Sequence, residues 1–155
     1  MRLLLQRVKW AKVEVRQEEV ARIDSGLLLL SGFSLRDPQD LPATKAWSKM
    51  LDKIPGLRIF PDQDGKSNLN LEDIQGQVLL ISQFTLFAEC KKGRRPSFSQ
   101  AAQPELASWL QQKLYQDLDQ LLPNRVQQGI FGAEMDVSYC NWGPMSIMLD
   151  SEDFQ

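Results

Sequence analysis

The chain has 155 residues, 43% hydrophobic and 25% charged, which suits one soluble globular domain with a sizeable core and would leave two half-sized domains marginal. A net charge of −2 excludes global attraction to nucleic acid or to an acidic membrane, so any such binding must come from a local patch. The complete absence of histidine removes the usual general base, the usual partner of a Ser or Cys nucleophile and the commonest transition-metal ligand.

Met1–Val8 runs apolar, and Val13 and Val15 then alternate with Lys12, Glu14 and Arg16, the pattern of an antiparallel strand with one wet face. This N-terminal stretch lacks the basic segment, apolar run and small-residue cleavage site of a signal peptide, and Leu3–Leu5 is too short to span a bilayer, so a cytoplasmic protein without membrane association is expected. Arg7 reads on its own as an exposed strand-end charge. Ser25-Gly26 marks a turn before Leu27–Leu30, a continuous apolar run expected to form a central strand. Ala46, Trp47, Met50, Leu51 and Ile54 have helical spacing, with Pro55-Gly56 as the predicted stop. Leu57–Phe60 is a short predicted strand and Asp62–Gly65 a turn.

Val78–Leu86 begins as a buried strand and then carries Ser82, Gln83 and Thr85 among apolar neighbours, and buried polar groups need partners or a ligand. Lys91, Lys92, Arg94 and Arg95 surround Gly93 with no acid between them; this is either a solvated basic loop or one that contacts phosphates. Leu106, Trp109, Leu110, Leu114, Leu118 and Leu121 form the apolar stripe of a second helix from about Glu105 to Leu122, with Pro104 near its first turn. Gly129–Gly132 is a turn, Ala133–Tyr139 an alternating strand and Met145–Leu149 a last apolar strand. Gly143-Pro144 between those two is a plain turn, or, if its bond is cis, a stiff backbone probe. Cys90 and Cys140 lack metal-ligand spacing and read as free thiols, with a redox pair as the alternative; no metal site and no cofactor are expected. About seven strands and two main helices predict an α/β (α+β) fold: a mixed β-sheet or barrel-like domain spanning residues 1–155.

Ser82-Gln83-Phe84-Thr85-Leu86, Arg94-Arg95-Pro96-Ser97-Phe98, Gln6-Arg7-Val8, Arg58-Ile59-Phe60 and Asn68-Leu69-Asn70 together resemble D-aminoacyl-tRNA deacylases of the DTD type, the D-tyrosyl-tRNA(Tyr) deacylases. Asn141-Trp142-Gly143-Pro144 falls where that family carries a Gly-Pro motif, and the motifs keep their order from Met1 to about Leu149. Two positions depart from the pattern. Met145-Ser146 follows the Pro where the family usually has Thr, and Trp142 is larger than the usual residue; both bear on pocket shape more than on the reaction.

The resemblance implies a homodimer with shared active sites, in which Ser82, Gln83, Phe84 and Thr85 of one subunit face the Gly-cis-Pro of the other. It implies hydrolysis of the ester of D-aminoacyl-tRNA, and of glycyl-tRNA mischarged on tRNA(Ala), with Gly143-Pro144 excluding L side chains and Arg7 fixing that segment. Phe98 and Ala102 would bind substrate near the terminal adenosine, while Lys91, Lys92, Arg94 and Arg95 would meet acceptor-stem phosphates. The partner is then aminoacyl-tRNA, not DNA. Without histidine, backbone N–H groups near Phe84 and Thr85 and the terminal 2′-hydroxyl are better sources of catalysis than a Thr85 nucleophile. A non-catalytic RNA-binding module is the alternative from another class; a small-ester hydrolase using Thr85 or Ser82 is disfavoured by the missing histidine.

Overall fold

The runs Leu27–Leu30 and Val78–Ile81 are apolar on both strand faces, so each needs cover on two sides, and the chain supplies it with helices outside and a curled sheet inside. The computed structural model describes residues 1–154. In chain order its elements are β1 (Arg2–Val15), β2 (Glu18–Ile23), β3 (Gly26–Gly32), α1 (Lys45–Gly56), β4 (Phe60–Pro61), β5 (Ser67–Leu69), β6 (Gln77–Ser82), α2 (Pro104–Leu121), β7 (Val126–Gln128) and β8 (Asp136–Asp150).

The main sheet has the order β2-β1-β3-β6-β7, with β8 along the other side of β1, and β4-β5 form a separate hairpin. β1 is antiparallel to β2, β3 and β8, whereas β3, β6 and β7 run parallel. Parallel neighbours require crossovers, and α1 and α2 lie in those two connections. β2 returns to meet β6 and β7, which curls the sheet into the expected barrel-like α+β form. Gly26 sits where β3 meets Gln77 so closely that a Cβ would lie 1.9 Å from the Gln77 carbonyl oxygen. No larger residue fits there.

Alternation along the central strands sorts the core into two layers. Leu27, Leu29, Val78 and Leu80 face Trp47, Met50, Ile54, Leu110, Leu114 and Leu118 of the helices. Leu28, Leu79 and Ile81 face inward with Val8, Ala11, Val13 and Ile23. The α2 leucines at 110, 114 and 118 have no exposed surface, and burying each stabilises by about 1.5–3 kcal/mol.

Several boundaries differ from the sequence reading. The two early apolar segments form one strand, β1, and the two late ones form one strand, β8, because β1 and β8 pair along nearly their whole length through register shifts around Val8. Three strands that the sequence reading did not expect, β2, β5 and β7, outweigh these mergers, so the described residues form eight strands rather than about seven. α1 continues through Pro55, which late in the helix costs a single donor, and ends where Leu57 N–H donates to the Lys53 carbonyl (3.0 Å). The strand expected over Leu57–Phe60 is only Phe60–Pro61. No helix among the described residues is long and apolar enough to cross a membrane.

Candidate active site

β6 ends at Ser82, and the chain then leaves the sheet. Gln83 N–H donates to the Ser31 carbonyl (2.7 Å), the last sheet-like bond, and Phe84–Phe87 form a short 3-10 turn. Thr85 is thus not a strand residue, in contrast to the expected run to Leu86. The turn is closed by Leu86 N–H to the Gln83 carbonyl (3.2 Å) and Ala88 N–H to the Thr85 carbonyl (3.0 Å). The N–H groups of Phe84 and Thr85 come before the first intrahelical bond and have no acceptor in the turn. The Gln83 side-chain amide donates to the Thr85 hydroxyl oxygen, and no carboxylate among the described residues hydrogen-bonds that hydroxyl. Nothing there would take a proton from it.

Ser82, Gln83 and Phe84 border a cleft of about 600 Å3 whose floor includes Ser31 and Ile81. Phe98 and Ala102 form part of its wall, as do Phe131 and Met135. Phe84 and Phe98 meet edge to face, 5.0 Å between centroids and 75° between planes, although they are 55% and 41% exposed. Aromatic rings held open to water in this way offer a stacking platform. The Phe98–Ala102 wall is tied to the end of β3 by Ala102 N–H to the Phe33 carbonyl (2.9 Å) and Leu35 N–H to the Gln100 carbonyl (3.0 Å).

Under the floor, the Ser31 hydroxyl donates to Gln111 Oε1 (2.6 Å), and both residues are buried. The sequence reading passed over Gln111. The signal was a polar side chain on the stripe of α2, three residues before Leu114 and four after Ala107. Phe131 was also missed, a large apolar side chain 40% exposed in the turn before β8.

The turn from Lys91 to Arg95 is exposed and does not line the cleft. Its stem is closed by Glu89 and Ser97, which exchange two backbone bonds (2.8 and 2.9 Å). That pairing leads directly into Phe98, so the cations of Lys91, Lys92, Arg94 and Arg95 share a loop with the cleft wall. Cys90 and Cys140 are free thiols.

The second group of expected site residues lies apart from the cleft. Arg7 is 8% exposed, not the strand-end charge its sequence context suggests, because it follows Leu3 and Leu5 on the inward face of β1, in unbroken register with β3. Its Nε donates to the Trp142 carbonyl (2.6 Å) and its Nη1 to the Ile59 carbonyl. Burial lowers the guanidinium's pKa from its ordinary value. The Gly143-Pro144 peptide bond is cis, and both residues are exposed. Gly143 has a φ of +145°, which favours glycine, and a Cβ there would lie 2.9 Å from Arg7 Nη2. Asn141 Oδ1 accepts from Met145 N–H (2.8 Å), closing the segment, and the Ser146 hydroxyl accepts from Gln6 Nε2 (3.1 Å). Within one chain, then, the structure unites Ser82, Gln83, Phe84, Phe98 and Ala102 at the cleft, leaves Thr85 next to Phe84 but outside the cleft lining, and places Arg7, Gly143 and Pro144 elsewhere.

Comparisons with known proteins bear on this arrangement. A family model described as D-Tyr-tRNA(Tyr) deacylase matches residues 4–150. A D-aminoacyl-tRNA deacylase of Solidesulfovibrio magneticus is 53% identical over 153 residues, covering 99% of this chain and 97% of the relative. One from Nitratidesulfovibrio vulgaris is 50% identical, covering 99% and 94%. Among solved structures, the c-Myc DNA Unwinding Element Binding Protein superposes with a TM-score of 0.85 at 35% identity, covering 97% of this chain and 98% of that one. A probable eukaryotic D-amino acid tRNA deacylase superposes with a TM-score of 0.80 at 18% identity over 96% and 97%, a likeness of fold.

Proposed function

The chain belongs to the D-Tyr-tRNA(Tyr) deacylase family, hydrolases of an aminoacyl-tRNA ester bond, and from that premise we propose that it removes D-amino acids from tRNA in the cytoplasm. The observation that carries this reading is the Phe84–Phe87 turn at the cleft, whose first two N–H groups have no acceptor within the turn. An aminoacyl ester is already reactive, so positioning and charge stabilisation suffice where no strong base exists.

In this reading the ester carbonyl lies against the Phe84 and Thr85 N–H groups while the terminal adenosine rests near Phe98 and Ala102. Water, oriented by the 2′-hydroxyl of the terminal ribose, adds to the carbonyl carbon. The negative charge that develops on the carbonyl oxygen is received by the two N–H groups. The intermediate then collapses, the bond to the ribose oxygen breaks, and that oxygen takes up a proton as the free D-amino acid leaves. Ser82 and Gln83 hold the turn's entry and the Thr85 hydroxyl.

The protein acts here as a homodimer, with Gly143-Pro144 of one protomer entering the cleft of its partner. Exposure of that segment, its distance from its own cleft and its anchoring to Arg7 support this reading. A backbone segment pressed against the α-carbon leaves no room for an L side chain, whereas a D side chain projects away and glycine has none to exclude. Glycyl-tRNA mischarged on tRNA(Ala) is therefore a second substrate. Lys91, Lys92, Arg94 and Arg95 bind acceptor-stem phosphates without reading sequence.

The test is single-turnover hydrolysis of matched D- and L-aminoacyl-tRNA beside a simple ester. Selective loss of the D-aminoacyl bond is expected; tRNA binding without turnover would leave only a binding module. Thr85→Ala should slow the D-specific reaction by no more than about tenfold, since loss of a true nucleophile costs on the order of 10⁶. Rapid quench and mass spectrometry provide the check, and an acyl group trapped on Thr85 would overturn the water mechanism.

A further inference from the structure

Trp142 meets the Arg7 guanidinium in two ways. Its carbonyl accepts the Nε hydrogen bond (2.6 Å), and its ring lies 5.1 Å from Arg7 Cζ. The ring also neighbours Phe60, which has no exposed surface, with centroids 6.4 Å apart and planes tilted by 58°. The indole thus contacts both a buried phenyl ring and a cation, and the cation in turn abuts Gly143.

Carbonyl oxygens accept hydrogen bonds over a broad range of directions, so the bonds to Ile59 and Trp142 locate the guanidinium but leave its tilt soft. An aromatic face against the cation restricts that tilt. Tilt matters because Nη2 is the atom closest to where a Gly143 Cβ would be. The far side of the segment is already held, by Asn141 Oδ1 and the Met145 N–H. Between Asn141 and Met145, Trp142 alone sends a side chain into the core, since Gly143 has none and Pro144 is exposed.

We propose that Trp142 is a positioning residue for stereochemical discrimination: its indole ring, braced by Phe60, fixes the Arg7 guanidinium and through it the Gly143-Pro144 backbone. This rests on the reading that Gly143-Pro144 excludes L-aminoacyl groups. A tryptophan that merely filled space would be replaceable by any apolar side chain of similar bulk. A tryptophan that orients a cation requires a ring.

Trp142→Leu and Trp142→Met remove the ring, Trp142→Phe keeps one, and Pro144→Ala alters the backbone segment directly. For each, D- and L-aminoacyl-tRNA deacylation rates and the thermal midpoint are measured on the full chain. The Leu and Met variants should lower the D-to-L rate ratio by about three- to thirtyfold, the range of one cation–aromatic contact, and the Phe variant should recover most of it. Should Trp142→Leu fail to fold, the more adaptable Met side chain carries the same comparison. A lowered midpoint with an unchanged ratio in the ringless variant would reduce Trp142 to packing and overturn the inference. An unchanged ratio in Pro144→Ala would overturn the underlying reading of the backbone segment, and the inference with it. A changed ratio there with none at position 142 would overturn the inference alone.

Discussion

Arg7→Ala should destabilise the protein by about 2–5 kcal/mol, because it strands the buried Ile59 carbonyl and the part-buried Trp142 carbonyl, an unpaired acceptor costing about 1–3 kcal/mol when fully buried and less where water reaches it. For a chain of this length that corresponds to a fall in thermal midpoint of roughly 4–20 °C. The guanidinium also spaces β1 from the segment around Gly143, so the variant would let that segment move. In the proposed reading this loss appears as faster hydrolysis of L-aminoacyl-tRNA alongside the stability defect. Arg7→Lys should fall between the two proteins, since an ammonium is a compact charge without the planar fork that reaches both carbonyls. Denaturant titration of the three proteins measures the first effect. A loss below about 1 kcal/mol for Arg7→Ala would mean that these contacts contribute little to holding β1 against β8.

Replacing Lys91, Lys92, Arg94 and Arg95 together with Gln should weaken tRNA binding and flatten its dependence on salt. If each cation meets one phosphate, the slope of log affinity against log salt should diminish by up to about 3.6, from roughly 0.9 per neutralised phosphate on a duplex. Over the range from about 50 to 200 mM salt, a slope term of that size is worth on the order of a hundredfold in affinity. The substitution should leave folding alone, since all four side chains are exposed and the loop's stem is closed by the backbone pairing of Glu89 with Ser97. Binding measured at several salt concentrations separates the outcomes. An unchanged slope would identify the loop as solvated surface that tRNA does not touch.

Much of the architecture was legible before any coordinates. Leu27–Leu30 and Val78–Ile81 are apolar without alternation, and this pattern alone requires strands covered on both faces. The α2 stripe names its buried side at Leu110, Leu114 and Leu118, but Trp109 and Leu121, read into the same stripe, are 44% and 43% exposed. The strand ends were less legible, and they matter most for the candidate site. Thr85 follows Ser82 in an unbroken β-like run, and nothing local announces the 3-10 turn that begins at Phe84. Its onset reflects the end of available pairing, since Ser31 near the end of β3 provides the last acceptor. The long pairing of β8 with β1 was hidden for the same reason, because the bulges around Val8 show only when the two strands lie side by side.

What the sequence by itself determined is the chemistry available and the family: no histidine, a Ser82-Gln83-Phe84-Thr85 stretch, a basic loop before Phe98 and a Gly143-Pro144 motif in compatible order. These are matters of residue type and local spacing, which a linear string carries completely. Only the tertiary structure decided that Arg7 is a buried clamp, that Gln111 supports the cleft floor through Ser31, and that Gly143-Pro144 stands away from its own chain's cleft. Arg7 finds its acceptors 52 and 135 residues away, and Ser31 meets Gln111 across 80. Hydrogen-bond partners at such separations are chosen by strand register and helix docking, and so become definite only once the whole core has packed.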